Sequence, residues 1–282
     1  MSSLYNYRFN EVFTHLGNAR QLDPEHAVAP FLNIAAIWLK VQAEQGYDSS
    51  YSALDNEIKK TIPRYRDLIQ KYPKNGEYVL YLGSSYGIKA RTAMARKKWM
   101  DVITAGYNGF RFTKKAQSLS PDLMDVYMPM GTMEYYACKS PFPIQLMAKL
   151  LGIGADCSDG LENLEIAANR SHYSWIESSN ILIYAYLYLE EDYEKALQYV
   201  EALVETFPDH PFFPYLKGET LAKLDRWDDL ERYRPELEKY TMNEYPIIRS
   251  ESKLKLTYID ALYSFEKGNH KKTIELTTWM IN

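Results

Sequence analysis

The chain has 282 residues, 46% of them hydrophobic, and a formal net charge of -4. Such a length holds one helical array or two ordinary domains, and the mild acidity argues against a general nucleic-acid binder, which would be basic. No apolar run approaches the roughly 20 residues that span a bilayer, and MSSLYNYRFNEVF lacks the basic flank and apolar stretch of a secretion signal. The chain reads as soluble, in the cytoplasm, or in the periplasm if a leader was removed ahead of Met1.

Val12, Leu16 and Ala19 share a helical face, and Pro24 ends the segment, so residues 6–22 read as the second helix of a repeat whose first helix is missing or cut off. The same ending returns at Tyr72-Pro73, Ser120-Pro121 and Phe207-Pro208. Proline fits just past a helix end because it cannot continue the hydrogen-bond ladder. A glycine stands ten positions after three of these prolines: Gly83 after Pro73, Gly131 after Pro121, Gly218 after Pro208. A small residue there lets two helices approach closely, and after Pro24 the place offers Ala35 and Ala36. Long helices are expected at 27–45 with 50–71, and at 76–94 with 96–119.

The fourth unit, 124–171, carries an insert. After Met130, Gly131, Tyr135 and Tyr136, the run Cys138-Lys139-Ser140-Pro141-Phe142-Pro143 must leave the helix. An inserted short helix is expected from Ile144 to Leu151, then a Gly152-Ile153-Gly154 link. The helix restarts near Ser158, capped by Asp156 or Ser158. Cys138 and Cys157 sit at no metal-ligand spacing and read as small buried hydrophobes rather than a disulfide framework.

Residues 178–211 hold an apolar helix from Asn180 to Leu189, a break at Glu190-Glu191-Asp192, and a helix from Tyr193 to Thr206. Ala196, Val200 and Leu203 share a face of the second helix, against which Ile183, Leu187 and Tyr193 can pack. The unit resembles a tetratricopeptide repeat, whose period is about 34 residues. One such hairpin cannot bury its apolar face alone, so stacked neighbours are implied. In the next unit, 211–243, Arg234-Pro235 is expected to bend or restart the second helix. The last unit runs over 252–282, with Ala261 at the small position, a Gly268-Asn269 turn and a closing helix from His270 to Ile281. No polar capping helix follows it, so the chain is read as part of a longer array or as pairing with another copy through that face. The fold expected is thus all-α: a single right-handed α-α superhelix of about six helical hairpins, with units near 6–24, 27–73, 76–121, 124–171, 176–208, 211–243 and 252–282.

One segment resembles a narrower family. G-x-x-x-Y-Y from Gly131, S-P-x-P from Ser140, K-L-L-G-x-G-A-D to Asp156, and G-L-x-x-L-x-x-A from Gly160 to Ala167 are similar to the tetratricopeptide repeat protein 39 and inclusion-clearance family, and to bacterial repeat proteins of similar layout. That family has a basic residue where this chain has Cys157. The resemblance implies an interaction scaffold, with no activity or cofactor to carry over.

In such a superhelix the first helices line a concave groove. Counting from the small residue places Leu80, Ser84 and Ile88 inward, then Met128, Thr132, Tyr135 and Tyr136, then Ile181, Ala185 and Tyr188, then Tyr215, Glu219 and Lys223. An apolar, tyrosine-rich groove suits a peptide or helix of another protein; the alternative is that some of these tyrosines pack between repeats. Tyrosine numbers 25 in the chain, and its ring can pack while its hydroxyl reaches water. A basic cluster, Lys89, Arg91, Arg96, Lys97, Lys98, Arg111, Lys114 and Lys115, is opposed only by Asp101. It is either an anion patch or a solvated face, with Trp99 read as a packing residue.

No metal or cofactor is expected: the five histidines are scattered and form no H-E-x-x-H pair. Gly152-x-Gly154 follows a helix and is not a dinucleotide loop. Glu134 and Asp156 can be imagined as the acid–base pair of a helical-toroid hydrolase; their plain alternatives are a helix-to-helix hydrogen bond and an N-cap. The reading is a non-catalytic scaffold for another protein. The alternative is a small-ligand or lipid-binding module, with the apolar insert covering the mouth of the groove.

Overall fold

A computed structural model describes residues 1–281. The described residues hold fifteen α-helices and no strand. In chain order these are α1 (Ser2–Tyr5), α2 (Phe9–Leu22), α3 (Ala29–Gln45), α4 (Tyr47–Lys71), α5 (Gly76–Ala95), α6 (Trp99–Leu119), α7 (Tyr127–Lys139), α8 (Phe142–Leu150) and α9 (Cys157–Arg170). There follow α10 (Trp175–Tyr188), α11 (Tyr193–Thr206), α12 (Phe213–Lys223), α13 (Trp227–Glu238), α14 (Pro246–Glu266) and α15 (His270–Ile281). Asn282, the last residue of the expected final unit, lies outside the described residues.

The chain divides into two compact units. The N-terminal unit holds Phe9–Val41 and Tyr47–Ile181; the C-terminal unit holds Met1–Arg8, Gln42–Gly46 and the residues from Leu182 onward.

In the N-terminal unit the helices pair as hairpins. Ile34 of α3 is buried with Leu54 and Ile58 of α4. α5 packs on α6, and α7 on α9. The expected glycine contacts are present: a Cβ on Gly83 would lie 3.0 Å from the Gly109 carbonyl oxygen, and one on Gly131 2.7 Å from that of Gly160. Asn75 caps α5 by accepting from the Glu77 and Tyr78 amides at 2.9 and 3.3 Å. Asp125 is buried and accepts three amides from the stretch just before α10: His172 at 3.2 Å, Tyr173 at 2.8 Å and Ser174 at 2.7 Å.

The insert folds as expected, a residue or two early, with α8 starting at Phe142. Asp156 caps α9 through the Ser158 and Asp159 amides at 2.8 and 3.3 Å. The cysteines correct the sequence reading. Cys138 and Cys157 form a disulfide, with Cα atoms 5.4 Å apart. Their positions in the chain carry no spacing signal; the close α7–α9 pairing brings the last turn of one helix to the first residue of the other.

In the C-terminal unit Tyr186 of α10 stacks on Tyr199 of α11 at 6.3 Å. Ile183 and Leu187 are buried as expected, while Tyr193 is only half-buried. α12 packs on α13 and α14 on α15. Near Gly218 the close neighbours are side chains, Ile259 and Leu237, at 3.0 and 3.1 Å from a built Cβ. Three helix limits differ from expectation. α10 begins at Trp175 rather than Asn180, its first turn being disguised by two serines. α14 begins at Pro246, well before Ser252, with proline in the first turn where no amide partner is lost. α13 runs through Pro235 to Glu238 instead of restarting; Arg234 bonds Asp260 at 2.8 Å and Leu237 is buried, holding that last turn.

Four of the helix-to-helix reversals use one geometry, which Tyr7, at φ 58° with the Arg8 amide on the Ser3 carbonyl at 2.8 Å, repeats after α1. Lys97, Gly152, Asp225 and Gly268 all have positive φ, between 57° and 75°. In each case the next residue's amide reaches back five residues: Lys98 to Ala93, Ile153 to Ala148, Arg226 to Leu221 and Asn269 to Ser264, all at 2.9 Å. This is the left-handed helix ending that satisfies otherwise orphaned carbonyls.

The tyrosines also depart from expectation. Instead of reaching water, several buried hydroxyls donate to backbone carbonyls: Tyr65 to Ala27 at 2.7 Å, Tyr78 to Glu25 at 2.9 Å, Tyr215 to Leu237 at 2.5 Å and Tyr240 to Pro208 at 3.1 Å. Each accepting carbonyl lies at or beyond a helix end, where backbone acceptors lack intrahelical partners. Tyrosine here does two tasks, filling the core and closing a loop.

Candidate binding surfaces

The expected groove residues separate by burial. In the N-terminal unit Leu80 is buried against Val79, Ala116, Val126 and Met130, and Ile88 packs against the Ile34 cluster. Tyr135 is fully buried; a Cβ on Gly160 would meet its backbone at 2.6 Å, so it lies in the α7–α9 contact. Leu80 and Tyr135 are therefore core residues and cannot line a groove. Ser84, Met128 and Thr132 are half-buried, and the Thr132 hydroxyl is satisfied within its helix by the Met128 carbonyl at 2.7 Å. Tyr136 is exposed, edge-on to Tyr135 at 5.7 Å, and partial burial raises its phenol pKa.

In the C-terminal unit Ala185 and Tyr215 are buried, Tyr215 through its bond to α13, so neither lines a groove. Tyr188 is exposed and donates to the Glu219 carboxylate at 2.7 Å. Glu219 itself is buried rather than open to a partner. Burial pushes its carboxyl above the ordinary value, opposed by the Tyr188 bond and by Lys255 and Lys223. Burial and the Glu219 charge together raise the Tyr188 phenol. Tyr184, one turn earlier, stacks on Tyr188 at 5.8 Å and is exposed. Tyr258 adjoins the group and is raised by burial and by Glu219. Tyr184 was missed, although its spacing of four from Tyr188 puts both on one face. Tyr258 had no signal, because only folding brings α14 to α12. Lys223 is exposed and Ile181 half-buried.

The basic cluster does not form one patch. Arg96 is taken by an ion pair to Asp55, and Arg91 lies over the Trp38 ring at 4.2 Å. Arg111 and Lys114 lie over Phe112 and Phe110, at 5.1 and 5.6 Å. Lys97 and Lys98 sit in the α5–α6 turn, more than two helical turns from Arg111, Lys114 and Lys115. Lys89 and Lys115 are exposed. Trp99, read as a packing residue, is exposed instead.

The imagined acid–base pair has other tasks. Glu134 is buried and accepts from the Asn163 amide at 2.6 Å; burial raises its pKa, and Asn163 and Lys114 counter that. Asp156 is the α9 cap. Among the described residues no His, Cys, Asp and Glu group is placed to hold a metal ion, and no helix is long and apolar enough to cross a membrane. An open depression in the C-terminal unit is lined by Glu201, Lys217, Arg226, Asp229, Arg232 and Tyr233. Its charges pair internally, Lys217 with Glu201 at 2.9 Å and Arg226 with Asp229 at 2.6 Å.

Compared with protein-family models the chain matches none. No curated protein matches it either.

Proposed function

We propose that the chain is a non-catalytic scaffold of tetratricopeptide type, its hairpins stacked as a right-handed superhelix, that binds another protein. The Tyr184–Tyr188 stack, backed by Glu219, carries the reading. Two exposed aromatic faces one helical turn apart offer apolar area at little entropic cost, since each ring has few rotamers to lose. The buried Glu219 carboxylate behind them accepts the Tyr188 hydroxyl at 2.7 Å and so fixes that ring in place for a partner to pack on. The glycine-mediated hairpins and the recurrent left-handed turns support a repeat architecture. The disposition of Glu134, bonded from α7 to Asn163 of α9, and of Asp156, the cap of α9, supports a scaffold over a hydrolase.

The test is affinity capture with wild type beside a Tyr184→Ala, Tyr188→Ala double variant and a Tyr136→Ala variant. A protein retained by wild type and by Tyr136→Ala, and lost by the double variant, is the expected result. Equal capture by all three places binding elsewhere.

A further inference from the structure

Trp99, Ile103, Tyr107 and Phe110 recur at spacings of three and four along α6 and so share one face of it. Trp99 is 61% exposed and Ile103 and Tyr107 are each 38% exposed, whereas Phe110 is buried. α8 causes the difference: its Ala148 packs with Ile153 and Ala137 against Phe110. The insert thus covers the far end of the α6 stripe, and its own outer side is apolar again. Phe142 is 73% and Leu150 79% exposed, with Ile144 and Leu146 about half exposed. A run of exposed apolar residues across two adjoining elements marks an interaction surface rather than scattered surface hydrophobes.

Charge selects the occupant. From Lys89 to Ala155 the chain has ten basic and four acidic residues, although acidic residues outnumber basic ones in the whole chain, 37 to 33; Arg96 among the ten is paired with Asp55, and the exposed Asp101 stands in the first turn of α6. Two of those four acids, Asp125 and Glu134, are buried. Lys97 and Lys98 directly precede Trp99, and Lys149 precedes Leu150; all three lysines are exposed. Indole, phenyl and leucyl groups beside ammonium groups suit a bilayer interface. The rings and alkyl groups enter the boundary between headgroups and acyl chains, and the lysines meet anionic headgroups.

We propose that this face docks on the surface of an anionic phospholipid bilayer, with α8 and the first turns of α6 lying in the headgroup layer. The binding is peripheral. It uses none of the Tyr184–Tyr188 surface, so the two readings stand or fall separately.

The full chain is sedimented with vesicles of phosphatidylcholine alone or mixed with phosphatidylglycerol. Three variants accompany wild type: Trp99→Ala with Phe142→Ala and Leu150→Ala; Lys97→Glu with Lys98→Glu; and Trp279→Ala, an exposed tryptophan on α15 outside the basic segment. All changed residues are exposed, and circular dichroism verifies folding. Wild type is expected to sediment with the anionic vesicles, less with phosphatidylcholine and less at high salt. The charge-reversed and apolar-deleted variants should each lose roughly tenfold or more in vesicle affinity, while Trp279→Ala binds like wild type. Absence of wild-type sedimentation with anionic vesicles overturns the proposal. So does equal binding by all variants. So does a variant-sensitive dimer, or variant-sensitive capture of a protein, without vesicle binding; the face is then a protein contact.

Discussion

Gly131 of α7 and Gly160 of α9 lie so close that a Cβ on the first would sit 2.7 Å from the carbonyl oxygen of the second. A Cβ on Gly160 would in turn stand 2.6 Å from the Tyr135 amide nitrogen. Both obstacles are backbone, which cannot rotate away. Gly131→Ala and Gly160→Ala are therefore each expected to cost about 3 kcal/mol by overpacking, read as a fall in the urea midpoint. Gly17→Ala is the control. Gly17 stands within α2 with nothing near its missing Cβ, so alanine there should stabilise by about 0.5–1 kcal/mol. If Gly131→Ala proves as harmless as Gly17→Ala, the close packing of α7 on α9 is wrong.

Asp125 accepts three amides from a single stretch, His172 to Ser174. Asp125→Ala leaves those donors without their acceptor in a half-buried setting. The expected cost is about 3 kcal/mol. Asp125→Asn should cost less, because one oxygen already serves both Tyr173 and Ser174. Urea unfolding of the pair gives the order; equal losses would mean that the side chain's volume, not its acceptors, matters.

Much of the helix plan was legible because its punctuation is chemical. Pro73, Pro121 and Pro208 cannot extend a helix, Gly83 and Gly131 permit close crossings, and Ser140 to Pro143 must break one. The candidate site was less legible. Tyr135 and Tyr136 are neighbours of one type, yet one is fully buried and the other exposed; a shift of about 100° around the helix decides which. The Cys138–Cys157 bridge depends on the α7–α9 crossing, a tertiary fact. The left-handed turns at Lys97 and Asp225 were hidden because neither position holds glycine.

The disulfide joins positions separated by 19 residues and brackets α8. α8 buries only Ala148, so its own packing supplies little to hold it. Cys138→Ser with Cys157→Ser is expected to lower stability by about 3 kcal/mol, the loop-closure value for a span of this size. The effect should be local as well. Hydrogen exchange in α8 should quicken far more than in α5, and limited proteolysis should cut first between residues 140 and 156. Unchanged exchange in α8 would show that the bridge is not what holds the insert.

His210 is buried in the C-terminal unit, stacked on Phe213 at 3.4 Å and flanked by Tyr5, Tyr7 and Phe212. Its Nδ1 accepts the Phe212 and Phe213 amides, each at 3.2 Å. Burial pushes its pKa down to about 3, against roughly 6.5 in the unfolded chain. The folded state thus keeps the ring neutral, and below pH ~6.5 the unfolded state binds the additional proton. This contribution is complete above pH ~6.5 and is lost as pH falls toward about 3. Between pH 7 and 5 the loss is about 2 kcal/mol. Neighbouring Asp209, held below its ordinary value by Arg8 and Lys239, loses its contribution only at lower pH, below about 4. His210→Gln should flatten stability between pH 7 and 5 while leaving the more acidic limb. A wild-type slope that survives the substitution would assign the titration to another group.

Asp225 tests the recurrent turn. It holds φ at 57° between α12 and α13, in the place that Gly268 holds between α14 and α15. A residue with a Cβ pays for the left-handed conformation, and glycine does not. The backbone bond from Arg226 to Leu221 at 2.9 Å needs no Asp225 side chain, and no packing is lost on removing it, since Asp225 is exposed at the tip of the reversal. Asp225→Gly is expected to stabilise by about 0.5–1 kcal/mol, with part of the gain cancelled by the greater freedom of glycine in the unfolded chain. Asp225→Val, with a branched Cβ in the same conformation, should destabilise by more than 1 kcal/mol, roughly the left-handed penalty. Thermal melts of the two variants should therefore move in opposite directions from wild type; a shift of both the same way would remove the left-handed turn as the feature that closes this hairpin.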